Sequence, residues 1–253
     1  MLGQTRQRSK TVSDDNPYWI SFSDLMTGLL VIFILAAVSL IIELTQKTEN
    51  IDESIQELKK AEKDRNDVIQ EIKEELAKKG IIVLVADNDT VIRIPESTLT
   101  FGSGQDELPG DAEIISNVRA IGEILYTALT RFDRLASFDT IFIEGHTDSD
   151  NFWQRKGNWG LSSDRAISVW NAWTDKELGQ PGLLELTNEM GQKLFSVSGY
   201  ASTRRVNTME ATPEDKAQNR RIDIRFTVKR PSIENYEAIK AIGTTRGAED
   251  NTP

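Results

Sequence analysis

The stretch TIFIEGHTDS, residues 140–149, contains a buried strand and the start of a candidate binding site. Its first six residues, TIFIEG, form a short apolar run that predicts a strand inside a sheet. Asp148 follows the end of this strand, where a loop can present its carboxylate. A helix predicted from about Ser162 to Thr174 places Arg165 in its first turn. A carboxylate and a guanidinium held close together can bind the amine and the carboxylate of a zwitterionic ligand.

The elements on both sides of this strand predict a mixed α/β domain over residues 81–230. The other strand-like runs are IIVLVA (81–86), TVIRIP (90–95), LFSVSG (194–199) and RIDIRFTV (221–228). Further helices are predicted from about Asp111 to Arg131, where the apolar positions keep to one face, and from Pro213 to Gln218. Residues 175–193 are interpreted as a longer connection with a short helix. The tail at 231–253 has little periodicity, and we expect it to be partly disordered.

A long apolar block precedes this domain. Residues 25–42, LMTGLLVIFILAAVSLII, are eighteen residues without a charge, and as a helix they would span roughly 27 Å, close to the thickness of a bilayer core. Tyr18 and Trp19 lie at its start, where amphipathic rings favour the headgroup level. The alternative is the buried core helix of a soluble protein, but no other segment is apolar enough to surround it. We therefore predict a transmembrane helix over residues 18–44.

The basic residues predict the orientation of this span. Arg6, Arg8 and Lys10 precede it, whereas Lys47 is the one basic residue after it before Lys59. The positive-inside rule then places residues 1–17 in the cytoplasm and everything after residue 45 outside, in the periplasm of a Gram-negative cell. The formal net charge of −10 argues against a direct nucleic-acid partner.

A helical linker is predicted between the span and the domain, at residues 45–80. Its apolar residues alternate at spacings of four and three, which is the period of a coiled-coil seam. These residues are Ile51, Ile55, Leu58, Ile69, Ile72 and Leu76. Glu62 and Arg65 interrupt the seam in its middle. We interpret the segment as a spacer or a weakly self-pairing helix, and a solvated charged helix that only holds distance remains an equal alternative.

Asp24 is an acid inside the predicted span, about one and a half helical turns deeper than Trp19. A charged carboxylate there costs roughly 2.5–3.5 kcal/mol or more, so the neutral form is favoured and proton exchange becomes possible. One span with one acid cannot form a transport path, so this role requires partner membrane helices from another chain. The alternative is that Ser23 or Asp24 caps the helix at the interface.

The segment WISFSDLMT, residues 19–27, resembles the corresponding segment of the MotB family, the B subunits of bacterial ion-driven stators. The resemblance implies that Asp24 carries the ion. It also implies a homodimer in membrane lipid, surrounded by a ring of five MotA-like or ZorA-like subunits. The span GLLVIFILAAVSLIIEL, residues 28–44, looks more similar to the ZorB family of the Zorya anti-phage defence system than to flagellar MotB.

A second resemblance covers about residues 81–228. The motifs GHTDS (145–149), NWGLSSDRA (158–166), GYAS (199–202) and AQNRRIDI (217–224) resemble the OmpA-like peptidoglycan-binding domain. The resemblance implies a mixed sheet with helices on one face, and it implies that Asp148 and Arg165 hold the diaminopimelate of the cell-wall peptide. Thr147, Asn158, Leu161 and Arg221 match supporting motif positions.

The stretch SDNFWQRKG, residues 149–157, departs from that pattern because it is longer than the family leads us to expect. We therefore expect the local loop shape, and with it the ligand preference, to differ from the family pattern. His146, the single histidine of the chain, is expected to orient the loop. The sequence contains no nucleophile–base pair, clustered metal ligands or phosphate loop, so we predict no cofactor, no metal and no enzymatic activity.

Together these features predict the B subunit of a proton-driven inner-membrane motor of the ZorA–ZorB type in anti-phage defence. A wall-binding domain would hold the subunit in place while Asp24 couples proton flow to movement of the partner subunits. The first alternative is a flagellar stator subunit of the MotB type. The second is a structural cell-wall tether without ion flow.

Overall fold

The computed structural model describes residues 17–154, 156–175 and 182–230. The basic residues of the predicted cytoplasmic tail and the predicted disorder of residues 231–253 lie outside these ranges. The chain divides into two compact units, Met1–Asp52 and Glu53–Pro253.

The first unit contains the start of helix α1, which extends from Pro17 to Lys78. Among the residues that the structure describes, α1 is the one helix long and apolar enough to cross a membrane. The apolar side chains from Leu25 to Ile42 are exposed, whereas the core helix of a soluble protein would bury them. The length, composition and exposure of this segment therefore fit the predicted span.

In the second unit, the later turns of α1 pack against the domain. Ile69, Ile72 and Leu76 are fully buried in its hydrophobic core. On the same stretch of helix, the Glu71 carboxylate accepts hydrogen bonds from Arg131 and Arg134, each at 2.6 Å. This part of the seam is thus used for packing within the chain, whereas the sequence led us to expect a spacer, a weakly self-pairing helix or a solvated helix. The role of the first part of the linker stays a prediction.

The domain is built on a five-stranded mixed sheet with strand order β1-β2-β5-β3-β4. Its strands are β1 (Leu84–Ala86), β2 (Val91–Pro95), β3 (Phe138–His146), β4 (Phe195–Gly199) and β5 (Arg221–Val228). Strands β3 and β4 are parallel, and the other neighbours are antiparallel. Strand β1 is shorter than predicted because Ile81 and Val83 bury their side chains in the core without pairing to β2.

Helices α2 (Ala112–Thr130), α3 (Gly157–Thr174) and α4 (Pro213–Asn219) follow the predicted order, with short 3-10 helices at Arg131–Ser137 and Leu183–Glu185. Asp111 caps α2 by accepting hydrogen bonds from the backbone N–H groups of Glu113 and Ile114. Helix α3 begins at Gly157, earlier than the predicted Ser162, so the NWGLSSDRA motif lies entirely on one helix. The predicted fold class, an N-terminal apolar helix followed by an α/β domain with a mixed sheet, is confirmed.

The contact between β3 and α3 positions the candidate site. Gly145, near the end of β3, lies so close to α3 that a Cβ atom at this position would overlap the carbonyl oxygen of Ser162. On the next turns of α3, the Trp173 indole is fully buried and donates a hydrogen bond to the carbonyl oxygen of Val118 at 2.7 Å. The strand end that carries Asp148 and the helix that carries Arg165 are therefore held against each other.

Candidate functional site

A cavity of about 350 Å³ opens where β3 ends. Five of the six predicted peptidoglycan-binding residues line it, namely Thr147, Asp148, Asn158, Leu161 and Arg165. The other lining residues are Glu96, Phe101, Ser103, Gly104, Asp150, Asn151, Phe152 and Arg220. The structure thus brings Asp148 and Arg165 into the wall of one cavity, as their positions in the sequence predict, and ligand binding there remains a prediction.

Asp148 is nearly buried, and its carboxylate has two partners in the domain. One oxygen accepts a hydrogen bond from the backbone N–H of Asp150 at 3.2 Å, and the other accepts one from Nη1 of Arg220 at 2.6 Å. Arg220 also donates from Nε and Nη2 to the two carboxylate oxygens of Glu96, each at 2.6 Å. The hydrogen bond to Glu96, followed by that to Asp148, raises the pKa of Arg220 above its ordinary value despite partial burial. One cation therefore bridges two acids in the cavity wall.

Arg165 is held by backbone groups. Its Nε donates to the carbonyl oxygen of Gln105 at 2.9 Å, and its Nη2 donates to that of Gly102 at 3.1 Å. The guanidinium lies over the ring of Phe101, 5.0 Å from the ring centroid. Burial lowers the pKa of Arg165, although the charges of Glu96 and Asp148 work in the opposite direction. The Arg165 guanidinium is therefore held in one orientation and presents a positive charge to the cavity.

Asn158, in the first turn of α3, holds the loop that follows Asp148. Its amide nitrogen donates to the carbonyl oxygens of Asp150 at 2.8 Å and Asp148 at 3.4 Å, and its oxygen accepts from the backbone N–H of Phe152 at 3.1 Å. Thr147 supports the strand end, because its N–H donates to the carbonyl oxygen of Ala201 at 2.9 Å. Asn158 and Thr147 thus shape the loop, and Leu161 supplies an apolar part of the cavity wall.

Arg221, the sixth predicted residue, does not line this cavity. It is buried beside it and donates to the Asp223 carboxylate at 3.0 Å and to the carbonyl oxygens of Asn219 and Arg204 at 3.2 and 2.9 Å. Burial lowers the pKa of Arg221, and the charge of Asp223 opposes this effect. In the structure its contacts brace the loop that leads into β5.

Sequence reasoning missed Arg220 and Glu96. Arg220 is the residue before Arg221, and since neighbouring side chains at a strand start point in different directions, only one of the two can face the cavity. Glu96 follows directly after the predicted strand at 90–95. Its charge at a strand end was a signal that could have identified Glu96. However, its partner Arg220 is 124 positions away in the chain.

His146 lies behind the cavity with Glu144 and Asp223. All three are buried, and the His146 Nε2 lies 3.5 Å from an Asp223 oxygen and 4.0 Å from a Glu144 oxygen. Burial, together with the charge of Arg221, lowers the pKa of His146 to about 3, so the ring is neutral at physiological pH. Its ring stacks on that of Tyr200, with 5.4 Å between centroids.

These three side chains lie close enough together to coordinate a metal ion. However, Arg93 donates to both oxygens of Asp223 at 3.0 Å, and Arg225 donates to Glu144 at 2.9 Å. The guanidinium groups already neutralise both carboxylates, and their positive charge opposes a bound cation. These side chains and their arginine partners therefore form a buried salt-bridge network on the sheet.

Comparison with known proteins finds a family model that matches part of this chain. Residues 100–220 match the OmpA family. The chain is 25% identical over 241 residues to the uncharacterized protein YtxE of Bacillus subtilis strain 168, covering 85% of this chain and 90% of that protein.

Solved structures with a similar fold include proteins from three bacteria. A MotB-like protein from Desulfovibrio vulgaris is 19% identical, with a TM-score of 0.45, over 72% of this chain and 99% of that one. The periplasmic domain of Helicobacter pylori MotB is 19% identical, with a TM-score of 0.46, over 65% and 90%. The cell wall anchor of the T6SS from Pseudomonas aeruginosa is 24% identical, with a TM-score of 0.43, over 62% and 97%.

Over residues 100–220 the domain is similar to the OmpA family, and its mixed α/β fold is OmpA-like. In this chain it follows a helix whose first part is long and apolar enough to cross a membrane.

Proposed function

We propose that the OmpA-like domain binds peptidoglycan and anchors the chain to the cell wall. One observation supports this most directly: a single cavity presents the carboxylates of Asp148 and Glu96 and the guanidinium of Arg165. A cavity that contains both charges suits a zwitterionic ligand, which carries an ammonium and a carboxylate close together. The family resemblance implies that this ligand is the diaminopimelate of the wall peptide.

The cavity wall suggests how such a ligand is oriented. The ligand carboxylate faces Arg165, whose fork is fixed by the carbonyl groups of Gly102 and Gln105. The ligand ammonium faces Asp148, whose carboxylate can accept a further hydrogen bond beside those from Asp150 and Arg220. Binding in this orientation needs no covalent chemistry.

The test is co-sedimentation of the full-length protein, in detergent, with purified peptidoglycan. Asp148→Asn and Arg165→Gln should each abolish sedimentation with the wall while leaving the folded protein intact. Arg131→Gln is a matched control, because Arg131 is half exposed and contacts Glu71 away from the cavity. Unchanged binding by both cavity variants would mean that the pair has a structural role only.

We further propose that the chain is the B subunit of a proton-driven motor in the bacterial inner membrane. Asp24 is the single charged residue between Pro17 and Ile42, so it is the candidate ion carrier. In this proposal the N-terminus is cytoplasmic, the domain is periplasmic, and two copies lie within a ring of five ZorA-like or MotA-like subunits. Binding to the wall would hold the domain while proton transfer at Asp24 moves the partners.

Among motors, we favour the ZorA–ZorB type of anti-phage defence, because the span resembles that family more than the flagellar one. A flagellar stator subunit is the alternative motor, and a wall tether without ion flow is the alternative of another class. Deletion of the gene should lower resistance to phage plating and leave swimming unchanged. Loss of swimming with unchanged phage resistance would favour the flagellar alternative, and loss of neither would favour the tether.

A further inference from the structure

A second cavity of about 240 Å³ lies next to the one that contains Asp148. The two cavities share four lining residues, namely Ser103, Gly104, Phe152 and Leu161. The shared residues place the two cavities side by side. The remaining lining residues of the second cavity are Gln105, Asp106, Gln154 and Asp164.

The chemistry of the second cavity differs from that of the first. Its additional side chains are two amides and two carboxylates, which can donate to and accept from hydroxyl and acetamide groups. No guanidinium or ammonium side chain lines it in the part of the chain that the structure describes. A neutral ligand rich in hydroxyl groups therefore fits this cavity better than a second zwitterion.

Phe152 separates the two cavities and is held in place from two sides. Its backbone N–H donates to Asn158, and its ring packs against Gly104, where a Cβ atom would lie 3.1 Å from the ring. Gly104 has φ of +66°, a conformation that glycine adopts most readily. The ring that both cavities share is thus a fixed wall.

An exposed indole lies directly after this ring. Trp153 is 86% exposed, and its neighbours in the chain, Phe152 and Gln154, both line the second cavity. A second indole, Trp159 on the first turn of α3, is 54% exposed. Trp153 thus offers an exposed ring face between two residues that line the second cavity. The faces of aromatic rings carry negative charge and attract the polarised C–H groups on the flat face of a sugar ring.

We propose that the second cavity and Trp153 form a subsite for the sugars of the glycan strand that carries the wall peptide. This inference rests on the proposed function, because the peptide in the first cavity brings the sugar to the second. The amide and carboxylate side chains bind the hydroxyl and acetamide groups, and the indole of Trp153 covers the apolar face of the sugar. The longer loop at residues 149–157 supplies this indole.

The experiment compares two ligands by calorimetry with the full-length protein in detergent. One is the diaminopimelate-containing tetrapeptide, and the other is the same peptide attached to its disaccharide. The disaccharide should strengthen binding to the unmodified protein by about tenfold. Trp153→Ala should remove most of that gain and leave the affinity for the free peptide within about twofold. Gln154→Ala should reduce the gain partially.

Phe132→Ala is the control, because Phe132 is 81% exposed and lines neither cavity. It should leave both affinities unchanged. Equal affinities of the unmodified protein for the two ligands, or an equal loss of both in Trp153→Ala, would overturn the sugar subsite while leaving peptide binding intact. If neither ligand binds the unmodified protein, the proposed function fails, and the subsite fails with it.

Discussion

The Arg220 guanidinium lies 2.6 Å from the Asp148 carboxylate and pairs with both oxygens of Glu96 through its other nitrogens. Arg165, which the sequence paired with Asp148, is instead held by two backbone carbonyl groups. The candidate site therefore contains two arginines with different roles. Arg220 holds the two acids in place, and Arg165 is the guanidinium oriented to receive a ligand carboxylate.

Replacing Arg220 by glutamine should lower the free energy of unfolding. The change removes the guanidinium that bridges Asp148 and Glu96, and we expect a loss of about 1–3 kcal/mol. Urea denaturation measures the effect. Lys63→Gln, which removes an exposed ion pair with Asp67, should leave the midpoint unchanged. A midpoint in Arg220→Gln equal to that of the unmodified protein would contradict the bridging role.

Replacing Gly145 by alanine should destabilise the domain strongly. The new methyl group would overlap the Ser162 carbonyl oxygen, so β3 and α3 must separate, at a cost of about 3 kcal/mol or more. Thermal unfolding followed by circular dichroism is the measurement. Gly110→Ala is the matched control, since a methyl group added there would have no atom within 4 Å. Similar melting of the two variants would show that the contact between β3 and α3 is looser than described.

Stability should fall as the pH decreases from 7 to 5, partly because of His146. Its pKa is lowered from 6.5 to about 3 by burial and by the charge of Arg221. The unfolded chain therefore takes up a proton at pH values where the folded protein does not, which favours unfolding. The contribution at pH 5 is about 2 kcal/mol.

The matched variant for this pH effect is His146→Gln. The free energy of unfolding of this variant should depend less on pH over the same interval, as measured by urea denaturation at pH 7 and pH 5. The nearby carboxylates of Glu144 and Asp223 are present in both proteins, so the comparison isolates the effect of the imidazole. Equal pH dependence of the two proteins would mean that His146 is accessible to protons in the folded state.

Replacing Asp24 by asparagine should abolish proton flux through the assembled motor while leaving membrane insertion intact. Asparagine has a similar size but cannot bind and release a proton. The measurement is the change in internal pH of cells that co-produce the partner subunit, with insertion checked by membrane fractionation. Asp52→Asn, on the same helix but outside the apolar block, should retain flux. Full flux in Asp24→Asn would reject the ion-carrier proposal.

Most of the secondary structure could be predicted from the sequence because it depends on local patterns. The run TIFIEG lies within β3, and RIDIRFTV corresponds to β5 at Arg221–Val228. The motif positions of Asp148 and Arg165 were likewise sufficient to place both residues at one cavity. Helix α3 begins earlier than its apolar pattern indicated, because its first turn, Gly157–Gly160, contains two glycines, which are weak helix formers, and Asn158, whose side chain holds the preceding loop.

The amino-acid sequence by itself determined the apolar block at 25–42, the acid that precedes it, and the order of strands and helices. These depend on hydropathy and on periodicities between near neighbours in the chain. Only the tertiary structure decided that Arg220, 72 positions from Asp148, is its partner. It also decided that Ile69, Ile72 and Leu76 pack within the chain. Such contacts depend on how distant segments pack against one another, and no local pattern specifies which of several chemically suitable partners that packing brings together.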